Sequence, residues 1–232
     1  MRALAAADIV ELAEAGQGRG PSFLALGILG RADPTIDAAA LTLGQRDAML
    51  LAVRAQLSGP RLDFVSECPA CGTVLEMTLR AEQIGLGVTA QTAAQTRQVR
   101  AGDAVITVAP LTAGALAAAE QLADPDSARR LLLKAAAPEA PEDDEVLAAV
   151  EAAVEAMDPG LETGLDWSCP ACAARWSEAV DVAALLAGEI AVRSRAVLAD
   201  VAVLARAFHW SERDILALPA ERRRFYLEAV QA

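Results

Sequence analysis

The sequence predicts an α+β fold, mainly α-helical, in which two β-hairpins are drawn to one site by four cysteines. Three observations predict it. Long stretches place apolar residues at helical spacing, Thr73–Leu79 alternates at period two, and the four cysteines all lie in two copies of Cys-Pro-Ala-Cys flanked by strand-like sequence. A chain of 232 residues can bury one large core or two small ones. Hydrophobic residues make up 54%, much of it alanine, and aromatics only 3%, so the core should be thin-walled and helical.

Read in order, the segment to about Gly30 gives one or two short helices, broken at Gly16-Gln17-Gly18-Arg19-Gly20-Pro21. Thr42 and Gln45 form a capping box. Leu43, Leu50, Leu51, Val53 and Leu57 then carry helical periodicity until Gly59-Pro60 stops it. Leu62–Glu67 and Thr73–Leu79 flank the first Cys-Pro-Ala-Cys as strands. Gly85–Gln98, rich in Thr, Gln and Ala, reads as a loop, and Val99–Val108 as a hairpin turning at Ala101-Gly102-Asp103.

From Thr112 to Met157 the chain reads as three helices, punctuated by Asp124-Pro125-Asp126 and Pro138–Pro141. The acidic run Glu142–Glu145 opens the third, where carboxylates suit the positive end of the helix dipole. The strand pattern returns around the second Cys-Pro-Ala-Cys, from Leu165 to Val180. A long helix begins near Asp181, with Val182, Leu186, Ile190, Val197, Val201, Leu204 and Phe208 as its buried stripe and Glu189–Arg193 as an i,i+4 pair. Ser211 with Asp214 caps a further helix, and Pro219 starts the last one.

The cysteines carry the chemistry. A Cys-x-x-Cys turn sets two sulfurs on one side of a tight bend, one edge of the tetrahedron that zinc requires at about 2.3 Å per thiolate. Two such turns complete it, so Cys68, Cys71, Cys169 and Cys172 are read as the ligands of one structural Zn2+. That site must bring Leu62–Leu79 and Leu165–Val180 side by side. The echo between Leu62-Asp63-Phe64 and Leu165-Asp166-Trp167 supports two similar knuckles meeting at one site. The organisation that follows is an N-terminal helical segment at 1–60, a zinc-knuckle core at 61–180 with a helical and hairpin insertion at about 85–160, and C-terminal helices at 181–232.

Two rival readings of the cysteines remain. Cys-Pro-x-Cys also occurs in dithiol oxidoreductases, where the first cysteine sits at a helix N-terminus. Here strand-like sequence follows both motifs, and that reading has no use for a second copy. Two disulfides in an exported protein are the other, disfavoured because Asp8 and Glu11 interrupt the apolar start and leave no secretory leader.

Several function classes are disfavoured. A net charge of −12 argues against nucleic acid and anionic membranes, which bind clustered Lys and Arg. No window approaches the roughly 18 uncharged apolar residues of a membrane span. The expectation is a soluble protein made in a reducing cytoplasm. His209, the single histidine, lacks a nucleophile and an orienting carboxylate, and is read as a packing residue. Gly16-x-Gly18-x-Gly20 is no dinucleotide fingerprint, because no strand precedes it. Arg222, Arg223 and Arg224 read as a solvated helix face or as a surface for an acidic partner. Trp167 and Trp176 flank the second knuckle and should shield the metal from water, with an interface role for one of them as the alternative. No enzyme motif is found.

The C-terminal third forms a recognisable unit: Leu165-Asp166-Trp167-x-Cys169-Pro170-x-Cys172, then Trp176, Asp181 and the long helix. It ends in Ala207-Phe208-His209-Trp210-Ser211-Glu212-x-x-Ile215-Leu216-x-Leu218 and Arg222-Arg223-x-x-Tyr226-Leu227. With Leu43-Gly44-Gln45-Arg46-Asp47 and Cys68-Pro69-x-Cys71-Gly72, these residues resemble the small baseplate proteins of contractile-tailed phages and contractile injection systems, the group related to the T-even phage baseplate hub-region protein. The resemblance covers roughly half the chain and leaves out its Ala-rich middle. It implies a structural or assembly role, in the cytoplasm during assembly and then at the baseplate of a virion or injection particle. Its partners would be other baseplate, hub and tail-tube proteins, with no nucleic acid, membrane or small-molecule substrate. Arg222, Arg223, Phe225 and Tyr226 are the residues expected to dock on such a partner. The alternatives are a zinc-ribbon adaptor binding nucleic acid or protein and, behind it, the dithiol oxidoreductase.

Overall fold

The computed structural model describes residues 1–80, 83, 95–101, 104–157 and 164–231. The elements run α1 (Ala6–Ala15), α2 (Pro21–Ala32), a short 3-10 turn at Ala38–Ala40, α3 (Leu43–Ser58), β1 (Arg61–Glu67), β2 (Val74–Arg80), β3 (Arg97–Ala101) and β4 (Ala104–Val108). They continue with α4 (Ala113–Ala119), α5 (Pro125–Ala136), α6 (Asp144–Met157), β5 (Gly164–Ser168), β6 (Arg175–Ala179), α7 (Val182–Phe208), α8 (Glu212–Leu216) and α9 (Ala220–Gln231). The chain is mainly helical, and its described strands form three separate antiparallel hairpins, β1–β2, β3–β4 and β5–β6. Arg97 and Gln98, read from sequence as the end of a loop, belong to β3. Most of that loop, and the Gly102-Asp103 turn, fall outside the described residues.

Local sequence accounts for the helix boundaries. Gln45 N–H donates to Thr42 Oγ1 at 3.3 Å and Thr42 N–H to Gln45 Oε1 at 3.0 Å, the reciprocal capping box. Gly59, at φ +82°, ends α3 in a conformation costly for any other residue. Asp124, Asp143, Asp181 and Ser211 each accept the backbone N–H three residues on, opening α5, α6, α7 and α8. His209 is exposed and closes α7 in the left-handed region at φ +55°, so it serves as a helix terminus and not as a packing residue.

Buried side chains form three clusters. The first joins α1, α2, α3 and β1 to the start of α7, around Ile28, Leu29, Leu50, Leu62, Leu186 and Ile190. The second lies within the Ala-rich middle, where β3–β4 packs on α5 and α6 through Ile106, Val108, Leu133 and Val150. The third sets the far end of α7 against α8 and α9 through Val201, Leu204 and Ile215. The α7 stripe read from sequence is buried from Val182 to Leu204, while Phe208 remains 36% exposed.

Polar contacts brace the first cluster and join it to the middle of the chain. Glu120, at the end of α4, accepts from Ser22 N–H at 2.9 Å and Ser22 Oγ–H at 2.5 Å. A carboxylate thereby caps the N-terminus of α2, where the helix dipole favours it. Buried Arg46 donates to the same serine hydroxyl at 3.0 Å and to Asp47 at 2.7 Å. Ala113 N–H donates to the Leu41 carbonyl beside a Thr42–Thr112 bridge, fixing the middle of the chain to the first cluster. Arg54 reaches Glu189 at 2.9 Å, and Arg193 donates to the Leu57 carbonyl at 2.7 Å. Glu189 and Arg193 therefore both serve the α3–α7 seam, in place of the i,i+4 pair expected along α7.

Candidate metal centre

Both knuckles follow from strand alternation. In β1, Leu62, Ser66 and the following Cys68 point inward and are buried, while Arg61, Asp63, Val65 and Glu67 are exposed. In β5, Leu165, Trp167 and the following Cys169 do the same. The first cysteine of each pair continues the inner face of its strand, so it is buried, 1% exposed for Cys68 and 2% for Cys169. The second cysteine lies past the bend, and Cys71 and Cys172 are exposed.

The two bends are closed alike. Cys68 N–H donates to the Thr73 carbonyl and Gly72 N–H to the Cys68 carbonyl, both at 2.9 Å. Cys169 N–H donates to the Ala174 carbonyl and Ala173 N–H to the Cys169 carbonyl, also at 2.9 Å. The pairs Glu67–Val74 and Ser168–Arg175 therefore close equivalent six-residue loops. This register corrects the sequence echo. Counting from the cysteines, Phe64 matches Leu165 and Ser66 matches Trp167, two residues away from the alignment that Leu-Asp-Phe and Leu-Asp-Trp suggest.

The loops meet. Cys71 Sγ lies 3.6 Å from Cys169 Sγ, and Cys68 Sγ 3.6 Å from Cys172 Sγ. All four sulfurs lie within 4.8 Å of one another. A tetrahedral ion with four ligands at about 2.3 Å has sulfur–sulfur edges of about 3.8 Å, so the cluster can hold one metal ion with little rearrangement.

Beside the sulfurs, a polar contact joins the hairpins. Buried Ser66 donates from Oγ to Glu178 Oε1 at 2.5 Å. Trp176 Nε1–H donates to Glu178 Oε1 at 3.1 Å and lies 3.3 Å from Ser66 Oγ. Trp176 also stacks on its cross-strand partner Trp167, with ring centroids 6.1 Å apart and planes within 8°. Trp167 is buried, and its indole N–H has no partner among the described residues. That cost of about 1–3 kcal/mol is offset by the burial of the Trp167 ring and its stacking on the half-buried Trp176.

The thiols do not ionise alike. The Thr73 hydroxyl, 3.2 Å from Cys71 Sγ, and the Thr73 backbone N–H together lower the Cys71 pKa to about 6, helped by the neighbouring sulfurs. At Cys172 the Ala174 N–H favours the thiolate, but the sulfurs of Cys71, Cys169 and Cys68 together with burial outweigh it and push the thiol up to about 12. Four sulfurs this close cannot all carry charge without a cation among them. Cys71 gives up its proton the more readily, and Cys172 holds its own.

The partner residues expected near the C-terminus divide by exposure. Phe225 is 64% exposed, and Arg222 is exposed beside it. Tyr226 turns inward, edge-on to Trp210 at 4.9 Å and Phe208 at 5.8 Å. Arg223 is held against Asp200 at 3.2 Å.

Sequence reading missed the Ser66–Glu178–Trp176 contact and the Arg46–Asp47–Ser22–Glu120 network. The second left a trace. Arg46, Asp47 and Arg54 occupy the same helical stripe as Leu43, Leu50 and Leu57, and a charge at a core position announces a buried partner. Glu178 left none, because a glutamate on a hairpin strand reads as solvated. No helix among the described residues is long and apolar enough to cross a membrane. No protein-family model, no curated protein and no solved structure matches this chain.

Proposed function

We propose that this chain is a structural, non-enzymatic protein whose two knuckles share one zinc ion, and that it builds the baseplate or hub region of a contractile phage tail or contractile injection system. The observation that carries the metal half is the convergence of four sulfurs from hairpins about a hundred residues apart, with cross contacts of 3.6 Å. An all-thiolate, four-fold donor set is the usual closed site of structural zinc, with no position left for substrate. The ion clamps β1–β2 to β5–β6, and through them holds α3 and α7 in register.

The assembly half rests on the resemblance of the C-terminal third to contractile-system baseplate proteins. Support for it comes from α9, where Phe225 lies exposed next to Arg222 while Tyr226 and Arg223 anchor the helix from beneath. An apolar anchor in a charged rim suits a protein contact. The proposed partners are other baseplate, hub and tail-tube proteins, met in the cytoplasm during assembly and kept in the particle. Metal analysis of protein purified without added zinc should find one zinc per chain, and a well-folded protein with metal near zero would end the metal half. Phe225→Ala with Arg222→Glu should abolish particle assembly while zinc content and helicity are kept. Normal contractile particles from that variant would remove α9 as the docking surface.

A further inference from the structure

We propose that the same four thiols form an oxidative staple: in the metal-free chain a peroxide closes them as two disulfides that cross between the hairpins, Cys71–Cys169 and Cys68–Cys172. The sulfur contacts at 3.6 Å are these two pairs, and both join different knuckles. A disulfide needs about 2.05 Å, so each pair has about 1.5 Å to close, within reach of small side-chain rotations. Closure inside one knuckle must instead act on a turn already fixed by two backbone hydrogen bonds and a residue at positive φ.

Each cross pair joins an exposed thiol to a buried one. The exposed sulfur of Cys71 or Cys172 meets the oxidant. That sulfur attacks the O–O bond of hydrogen peroxide and becomes a sulfenic acid, and the expelled hydroxide takes up the proton that the thiol releases in the attack and leaves as water. The buried partner, Cys169 or Cys68, then attacks the sulfenic sulfur. The S–O bond breaks, and hydroxide leaves with the partner's proton as a second water. Per bond, two thiols and one peroxide give one disulfide and two waters, so the whole site consumes two peroxides. Burial keeps the resolving sulfur away from further oxidant.

The Ser66–Glu178–Trp176 contact keeps the hairpins facing each other without any metal, so the thiols are already arranged when oxidant arrives. The oxidised, metal-free chain and the reduced, metal-bound chain then share one arrangement of hairpins, and loss of the ion need not release them. The proposal rests on sulfur positions and not on the identity of the metal.

The test uses the full chain, stripped of metal by a chelator under reducing conditions and then given two molar equivalents of hydrogen peroxide. After thiol blocking, trypsin without reductant cuts at Arg61, Arg80, Lys134 and Arg175, which isolates each knuckle on its own peptide. The expected product is one species joining residues 62–80 to residues 135–175 through two disulfides. Two separate peptides, each with an internal disulfide, or sulfinic acid as the main product, would overturn the proposal. Cys68→Ser with Cys172→Ser should still give the cross-link through Cys71–Cys169, and Cys71→Ser with Cys169→Ser through Cys68–Cys172. A folded double variant that stays unlinked overturns that pair. Cross-linking by a chain that never binds zinc would sink the metal reading alone, and zinc binding by a chain that never cross-links would sink the staple alone.

Discussion

After its second cysteine the first knuckle has Gly72, at φ +72°, and the second has Ala173, at φ +61°. The next position is Thr73, whose hydroxyl touches Cys71, against Ala174, which has none to offer. On the strands the order reverses. The first hairpin pairs Ser66 with Leu75 where the second stacks Trp167 on Trp176. One metal geometry demands one backbone, and the two halves reach it by different means. The first relies on turn chemistry, a glycine free to enter the left-handed region and a hydroxyl for the thiolate. The second tolerates a strained alanine because two large rings fix its strands.

The comparison breaks hardest at the buried cysteines. Cys68→Ser and Cys169→Ser should be equally severe, each stripping zinc from the chain and removing much of a site worth on the order of 10 kcal/mol to folding. Metal analysis and urea denaturation read both, and a site that survives either change would show that the halves do not share one ion. Next come the rings. Trp167→Ala should cost about 3–5 kcal/mol as a fully buried aromatic, against less for Leu75→Ala on the half-buried face of the first hairpin. Equal costs would remove the claim that packing, and not the turn, holds the second half.

Proton release sharpens the comparison further. At pH 7 Cys71, near 6, is already a thiolate, while Cys172, near 12, keeps its proton until a cation displaces it. Zinc affinity should therefore fall as pH falls, about tenfold per pH unit for each proton displaced, with Cys71 adding to the slope below about pH 6. Thr73→Val removes the hydroxyl that lowers Cys71 and should bring that steeper slope up to neutral pH. Competition titrations with a chelator at three pH values measure both slopes.

A smaller effect is expected from the bridging contact. Ser66→Ala should cost about 1–3 kcal/mol, because the Glu178 carboxylate and the Trp176 indole both lose their hydrogen bond to a buried hydroxyl. Smallest, and opposite in sign, are the turn exchanges. Gly72→Ala should destabilise by about 1 kcal/mol through φ alone, since a Cβ there meets nothing closer than Glu67 Oε1 at 3.5 Å. Ala173→Gly should stabilise by up to about 1 kcal/mol. Thermal unfolding of the zinc-bound forms separates them, and two changes of the same sign would refute the difference in strain.

How much of this was legible before the structure depended on whether the signal was local. The capping box at Thr42 and Gln45, the strands around both Cys-Pro-Ala-Cys turns and the α7 stripe are fixed by neighbours a few residues apart, and each forms where the sequence puts it. The meeting of the four sulfurs was readable because zinc chemistry supplies a long-range rule. What failed to show had no such rule. The partner of Ser22 is Glu120, 98 residues away, and the partner of Ser66 is Glu178, 112 residues away. Either glutamate, taken alone, looks like a solvated charge. The two-residue slip in the echo has a similar origin. Leu-Asp-aromatic is a composition match, whereas the hairpin register is set by hydrogen bonds counted from the cysteines.

The separation of 98 positions from Cys71 to Cys169 also sets a timetable. A ribosome adding about 5–20 residues per second leaves the first knuckle without its partner for about 5–20 s. Through that interval Cys68 and Cys71 form only half of a binding site, and α1, α2 and α3 await the start of α7 that completes their core. Meanwhile β3–β4, α5 and α6 emerge with their own cluster of buried side chains and can fold first. The order of completion is therefore inverted relative to the order of synthesis: the middle closes before the beginning, and the beginning is finished by the end.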